Sequence, residues 1–557
     1  MNAGRIAATR LFARVAFLMV MLCRAVFSQA TFVAPEPEDL IFYQVFIDRF
    51  DNGNPANDHG NPRGEFDPSG PVSFNGGDLE GVRQRLAYIK GLGANAIWLS
   101  PLLENVREYH GYAAYNWYNV EPNFGDLAKL KQLVQEANNL GIAVFFDMVA
   151  GHCGDLIDSG DSSYPNYLAP PATYNLRWRS SLHFPPPFDS LDYFHAQGQI
   201  SNFNDPEQVI GELFGLDDLK TETPYVREQM TAIWEYWMEQ TGVSGFRIDT
   251  FKHVDIGFWE YFLPRLRTKA TELGESNFFT FGEIFGADYS YMRRFVGDLN
   301  GGAYKLDAGL DFQFYYAVQD VFAHANASTN RLPSLMQSRA AEMGAHHLKT
   351  PNFIDNHDVR RFLNVAADNP GSGLAEQLRR LELALAFLLT APGPPIIYYG
   401  TEQDFNGGND PYNREDMYDG GFEFGPSLGD NFDDQSPHYR FVKRLADLRS
   451  QSRALRRGDF ELVADTSSGP GVLAFLRTID SEAALVALNT SASNSQTVPA
   501  TATPWAQGAV VANFFFPSQT LVIGAGGTFP GASLAPQDIQ IWIPADELPP
   551  VVPEVLA

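Results

Sequence analysis

Two hydrophobic rhythms alternate along this chain. From about residue 40, short runs of β-branched and aromatic residues recur at 41–47, 96–100, 143–149, 245–249, 278–284, 352–355 and 395–399, with a weaker eighth near 305–312. Each reads as a strand. Between them lie stretches whose apolar residues repeat at helical spacing, such as 127–140, 225–239 and 374–389, closed by Gly stops at Asn139-Leu140-Gly141 and Thr241-Gly242. Eight strands alternating with helices over some 400 residues predict an α/β fold with a parallel sheet, closed as a (β/α)8 TIM barrel.

Two stretches break the rhythm. Residues 153 to about 215 carry Pro, Gly, Ser and Asn clusters without a helical pattern, too long for an ordinary loop, and predict a small domain inserted after the third strand. After residue 453 the helical signals stop, and alternating runs at 471–476, 483–488 and 539–543 predict a C-terminal antiparallel β-sandwich. The expected organisation is therefore barrel 31–152, insert 153–215, barrel 216–452, β domain 453–547 and a loose tail 548–557. Residues 1–30 read as a secretory signal peptide, with Arg5, Arg10 and Arg14 ahead of an apolar run and small residues Ser28 and Ala30 before the cleavage point. That run is too short to span a bilayer. The expected location is secreted or periplasmic.

Composition narrows the function. The chain is 45% hydrophobic and 19% charged, which excludes a largely disordered protein. Its 67 acidic and 40 basic residues give a net charge of −27, which disfavours nucleic acid and anionic membranes as partners. An aromatic share of 13% suits a large core and flat stacking surfaces for neutral ligands. There are two cysteines, Cys23 and Cys153, and cleavage leaves only Cys153, so the fold has no intramolecular disulfide to rest on. Nothing in the sequence sets the oligomeric state.

In a barrel of this kind chemistry belongs at the C-terminal ends of the strands. Four predicted strands end in ionisable clusters: Asp147 to His152, Arg247 with Asp249, Glu283, and His357 with Asp358. Their convergence on one mouth gathers carboxylates suited to splitting a glycosidic bond, one as nucleophile and one as acid and then base. Arg247 lies two residues before Asp249, on the same face of the strand, and is expected to hold it ionised. Glu283 follows Phe278, Phe279 and Phe281, whose apolar company is expected to keep it protonated.

The segments Asp147-Met-Val-Ala-Gly-His152, Gly245-Phe-Arg-Ile-Asp-Thr-Phe-Lys-His253, Phe281-Gly-Glu-Ile-Phe285 and Phe353-Ile-Asp-Asn-His-Asp358 resemble, in order and spacing, the four sequence regions of the α-amylase family, glycoside hydrolase family 13. Tyr109-His-Gly-Tyr112, Gly215-Leu-Asp-Asp-Leu219 and Tyr398-Tyr-Gly-Thr-Glu402, followed by 408–414, extend the similarity over about 38–545. The resemblance implies Asp249 as nucleophile, Glu283 as general acid/base and Asp358 as a third carboxylate holding sugar hydroxyls, with Asp147 in support. It implies Arg247 orienting Asp249, His152 and His357 bonding the sugar on the non-reducing side, and Tyr112 stacking on that sugar. Lys252 and His253 fall on the leaving side, and Phe285 matches an acceptor-side aromatic of the family's transferases.

The resemblance also bears on metals. The segment Asp51-Asn-Gly-Asn-Pro-Ala-Asn-Asp58 with Gly76-Gly-Asp78 is similar to a calcium loop of cyclodextrin glucanotransferases and maltogenic amylases, implying Asn52, Asn54, Asn57, Asp58, the carbonyl of Gly76 and Asp78 as Ca²⁺ ligands. The family's more widespread calcium site, between barrel and insert, keeps matching places at Asp218 and the His253 carbonyl, but Gly151 stands where an Asn ligand is usual. That site is expected to be empty or weak, with protein contacts in its stead. The leading expectation is a secreted, endo-acting, retaining hydrolase of α-1,4 bonds in starch-like glucans and maltooligosaccharides. Lys252-His253 favours such α-1,4-acting members. A glucanotransferase or maltogenic amylase is the alternative, favoured by Phe285 and the calcium loop, and disfavoured by the single C-terminal domain where cyclodextrin-forming relatives carry more. A non-catalytic glucan-binding protein is the third reading, and retention of all three carboxylates weighs against it.

Overall fold

The computed structural model describes residues 32–203, 206–297, 299, 306–421, 427 and 429–549. The expected leader, the start of the weak eighth run at Lys305 and residues 550–557 of the tail lie outside the described residues.

Seven parallel strands curl around one axis: β1 (Phe42–Val45), β2 (Ala96–Leu99), β3 (Ala143–Met148), β4 (Gly245–Ile248), β5 (Phe279–Gly282), β6 (Ala308–Gly309) and β7 (Ile396–Tyr398). They are ordered β6-β5-β4-β3-β2-β1-β7. The gap between β6 and β7 is closed by the backbone at 351–352, where Asp311 N donates to Pro351 O at 3.0 Å and Asn352 bridges Pro395. The molecule is a (β/α)8 barrel. The run at 352–355 is thus shorter than its sequence suggests, pairing at Asn352 alone. Pro351, Pro394 and Pro395 supply no N–H to a ladder, and Gln319 Nε2 takes the Ile354 carbonyl at 2.6 Å.

The strands are buried on both faces, which explains their unbroken apolar runs. Phe42, Trp98, Phe145, Phe279, Phe281 and Ile396 fill the barrel interior as one aromatic cluster, while their strand neighbours Tyr43, Ile97, Val144 and Phe246 face the surrounding helices. Those helices include Leu127–Asn139, capped by the Asp126 carboxylate on Lys129 N, and Pro224–Thr241, ended by Gly242 in the left-handed conformation.

After β3 the chain leaves the barrel and returns on a short antiparallel ladder, His152 opposite Asp218 and Cys153 opposite Asp217. Aromatic residues of the excursion join the core outside the barrel strands, Phe184 stacked on Phe194 at 5.4 Å and Phe188 4.7 Å from Trp117. The C-terminal part is a six-stranded antiparallel sheet backed by two small ladders, 496–498 with 532–534 and 501–502 with 528–529. One sheet face (Val472, Leu485, Trp542) packs on the small ladders, and the other (Phe475, Val486, Ile541) packs on the barrel's helices. Arg449 and Arg477, both buried at that seam, donate through Nη1 and Nη2 to backbone carbonyls, including Leu389, Ala391 and Gly393 for Arg449 and Thr390 and Gly458 for Arg477. Among the described residues no helix is long and apolar enough to cross a membrane.

Glu121, at the base of the hairpin after β2, is fully buried and accepts hydrogen bonds from Asn105 N at 2.8 Å, Asn123 N at 3.2 Å and Asn61 Nδ2 at 3.0 Å. Burial outweighs these donors and pushes its carboxyl up to about 7. The folded state therefore holds a proton that the unfolded chain gives up near 4.5, a contribution present at low pH and lost as pH rises through 7. In urea titrations the stability lost between pH 5 and 8 is expected to be about 2–3 kcal/mol smaller for Glu121→Gln than for the unchanged chain. Equal losses in the two proteins rule out Glu121 as the carrier.

Candidate active site

The strand ends put one cation among three carboxylates. Arg247, on the inward face of β4, lies opposite Asp147 of β3 in the parallel register. Its Nη1 donates to Asp147 Oδ1 and to Asp249 Oδ1, both at 2.7 Å, and its Nη2 donates to Glu283 Oε2 at 2.7 Å. The guanidinium and Asp147 are buried, and Asp249 and Glu283 open onto a cleft of about 1060 Å³. Asp249 and Glu283, separated in sequence by 34 positions, thus share one planar group.

A local distortion aims the second carboxylate. Thr250 adopts φ +45°, a conformation costly for a β-branched residue. This turn directs Thr250 N to Glu283 Oε2 at 3.3 Å and Phe251 N to Glu283 O at 3.0 Å. The apolar surroundings expected for Glu283 are not what the structure provides. Phe279 and Phe281 share the inward face with Glu283 but fill the barrel interior below it, and Phe278 packs on the outer core, while the carboxylate itself lies past the strand end. Glu283 is instead bonded to donors.

The expectation that Arg247 alone keeps Asp249 ionised is also too simple. Burial raises the Asp249 carboxyl well above the usual range, Arg247 opposes this, and the neighbouring Glu283 and Asp147 charges add to the rise. Asp147 is likewise lifted by burial to about 6 against the pull of Arg247. One positive charge thus faces three carboxylates, and burial lifts the two deepest of them, Asp249 and Asp147.

Around this centre the other predicted residues gather. Tyr112 OH donates to Asp147 Oδ2 at 2.8 Å and lies 2.6 Å from His357 Nε2, the two rings parallel with centroids 5.6 Å apart. With the tyrosine proton on Asp147, His357 Nε2 is the donor, and Nδ1 accepts from Gln44 Nε2 at 2.8 Å. His357 Nε2 is also 3.1 Å from Asp358 Oδ2, and Arg414 approaches Asp358 Oδ1 at 3.6 Å. Burial keeps both histidines neutral, lowering His152 to about 4 and His357 further, and His152 Nε2 sits 3.6 Å from Asp249 Oδ2. On the other side Lys252 Nζ donates to Phe285 O at 3.0 Å, His253 Nδ1 contacts Gln208 O at 3.0 Å, and the Phe285 ring is 43% exposed at the cleft. All ten expected catalytic and sugar-contacting residues are therefore in one place.

Sequence reasoning gave no role to several residues here. Trp98 Nε1 donates to Asp147 Oδ2 at 3.1 Å from a layer below. Arg414 ties the His357 carbonyl (3.0 Å) to Tyr109 OH (2.8 Å), and its only signal was its place in a matched segment. Phe203 and Phe214, 52% and 78% exposed, rim the cleft from the insert, where no periodicity singles out an aromatic.

The expected calcium loop has open oxygens. Asn52 Oδ1 and Asn57 Oδ1 are buried without a hydrogen-bond partner among the described residues, beside Asp58, whose carboxyl burial raises. Asn52 Nδ2 bonds Asp58 Oδ1 at 3.0 Å, and Gly76, at φ +112°, comes so close that a Cβ there would meet Asn52 Nδ2 at 2.5 Å. Asp78 is occupied, accepting from Gly53, Asn54 and Gly81 N–H groups, and Asn54 is exposed. Orphaned amide oxygens next to a carboxylate fit a hard cation. Among the described residues no cluster of three or more His, Cys, Asp or Glu side chains suits a metal.

Residues 44–420 match the family model "Alpha amylase, catalytic domain". A β/α-amylase of Paenibacillus polymyxa is 34% identical over 467 residues, covering 82% of this chain and 34% of that protein, so the chain spans about a third of that relative's length. An Anoxybacillus α-amylase structure superposes with TM-score 0.74 at 31% identity, covering 92% of this chain and 98% of that one. A cyclomaltodextrin glucanotransferase with a three-domain ABC distribution gives TM-score 0.75 at 28% identity, with 91% and 99% covered.

Replacing Arg247 by Met leaves its buried carboxylates without a counter-ion. This is expected to lower unfolding stability at pH 7 by about 3–5 kcal/mol in denaturant titrations. A change under about 1 kcal/mol would show that protons, not Arg247, neutralise the cluster.

Proposed function

This chain belongs to the α-amylase family, and from that premise we propose that it is a secreted, endo-acting, retaining hydrolase of α-1,4-glucosidic bonds in starch-like glucans. The observation that carries the reading is the Arg247 guanidinium in contact with both Asp249 and Glu283 at 2.7 Å. Two carboxyls set that close suit double displacement rather than direct attack by an intervening water. Asp249 Oδ attacks the anomeric carbon while protonated Glu283 gives its proton to the departing glycosidic oxygen. The resulting Glu283 carboxylate then takes a proton from water, whose oxygen replaces Asp249 at that carbon. Two inversions return the α anomer. Tyr112 offers its ring to the sugar, and Asp358, His152 and His357 bond its hydroxyls as positive charge develops on the ring.

Transfer to a second sugar is the alternative, and Phe285 favours it: its exposed ring sits beside Lys252 where an incoming acceptor would stack. Domain number does not separate the two reactions, since the three-domain glucanotransferase above is covered to 99% by this chain. Export rests on residues 1–30 alone. We assign Ca²⁺ to the N-terminal loop, held by Asn52, Asn57 and Asp58 with the Gly76 carbonyl; its expected contribution is to the fold.

Asp249→Asn and Glu283→Gln are each expected to lower the turnover of soluble starch by about 10³-fold or more while maltooligosaccharide still binds. Proton NMR of early products from the unchanged enzyme is expected to show the α anomer first. Initial β product, or a fully active Asp249→Asn protein, would refute the mechanism. Reducing ends that fail to rise with bond cleavage would assign the chain to transfer instead.

Removal of calcium by a chelator is expected to lower the melting temperature of the unchanged protein and to leave Asp58→Ala unaffected, because binding to the folded state alone stabilises it by about 2.7 kcal/mol at 100 Kd. Identical melting with chelator and with calcium would remove the ion from the loop.

A further inference from the structure

The junction between the inserted segment and the barrel is where the family's widespread calcium site would fall, and the residues present do not fit an ion. Gly151 has no side-chain oxygen, and a Cβ there would lie 2.7 Å from Val254 Cγ2, so a methyl group fills the space a ligand would need. The Gly151 carbonyl accepts from Leu219 N at 2.8 Å. The carboxylate of Asp218 is also engaged: Oδ2 lies 2.6 Å from His195 Nδ1.

We propose that His195 does at this junction what a calcium ion would do, clamping the returning strand of the insert to the barrel with protein groups alone. The inference rests on the family reading only for where the site lies. His195 is buried, and its two ring nitrogens face two carboxylates, Asp218 at 2.6 Å and Glu222 Oε1 at 3.3 Å. A carboxylate accepts and does not donate, so both nitrogens carry protons and the ring is a cation between two anions. His195 N also donates to Asp218 O at 2.9 Å, so side chain and backbone hold the same residue. Asp218 in turn pairs with His152, whose Nε2 is 3.6 Å from Asp249. The clamp thus connects to the centre through one backbone ladder.

Calcium bound per chain, measured by atomic emission after dialysis of the full protein against calcium, is expected to be at most one equivalent, and none in Asp58→Ala. An equivalent that survives in Asp58→Ala and disappears in Asp218→Asn would overturn the proposal. None in the unchanged protein would defeat only the N-terminal loop assignment and agrees with this one. The clamp itself is read by limited trypsin cleavage after Arg177, Arg179 and Lys220. The unchanged protein is expected to be cut at the same rate with chelator as with calcium, His195→Ala about tenfold faster in both, and His195→Gln at an intermediate rate. A His195→Ala protein cut no faster than the unchanged one, or protection by calcium, would overturn it. Should His195→Ala not fold, the chelator comparison and His195→Gln decide.

Discussion

The barrel mouth is organised by a single buried charge. Arg247 stands 5.2 Å from the centre of the Trp98 ring and is bonded to Asp147, Asp249 and Glu283, each at 2.7 Å. A guanidinium is planar and always charged, so its fork fixes where each carboxylate can sit. That fork converts the parallel register of three adjacent strands into a defined spacing between two reactive groups. Several other polar residues at the mouth are bonded to this cluster or to a residue that is. Trp98 and Tyr112 saturate the far oxygen of Asp147, Tyr112 orients His357, and Gln44 sets the tautomer of that ring.

The same centre is short of positive charge. Three carboxylates around one cation leave a surplus of negative charge that a low-dielectric site does not tolerate; burial raises the Asp249 and Asp147 carboxyls, and the donors around the cluster offset part of the cost. The strained turn at Thr250 serves the same end, supplying an extra N–H to Glu283 without adding a charge. Arg414 performs a related task on the opposite rim, bridging His357, Tyr109, Asp410 and Asp358.

Beyond the mouth, charged and polar groups stitch the three parts of the molecule together. Arg449 and Arg477 direct their terminal nitrogens at backbone carbonyls near the seam with the C-terminal sheet, where helix ends and strand starts leave buried acceptors. His195 with Asp218 and Glu222 does the equivalent work at the root of the insert. In the N-terminal loop the balance differs, since two buried amide oxygens there find no donor among the described residues. These three junctions differ because each leaves a different imbalance of donors and acceptors.

Much of this was written in the order of residues. Strand after strand is marked by an apolar run buried on both faces, and the residues that terminate those runs mark the mouth. Arg247 and Asp249 could be placed on one face because a strand repeats every two residues. What the sequence could not carry was anything that depends on several elements at once. Glu283 follows three phenylalanines in the chain, yet two of their rings are spent on the barrel interior below it and the third on the outer core, and the carboxylate lies beyond the strand end among donors. The pull of Arg247 on Asp249 was foreseeable from spacing, whereas the competing effect of burial and of two further carboxylates was not. The run at 352–355 reads as a strand until the prolines on both sides of its would-be ladder are brought together. Gly151 told of a missing ligand, but only folding shows Val254 in its space and His195, forty-four residues on, against Asp218. Local pattern sets which face a side chain takes; which charges then share that face, and how far water is kept from them, is decided by packing among distant segments.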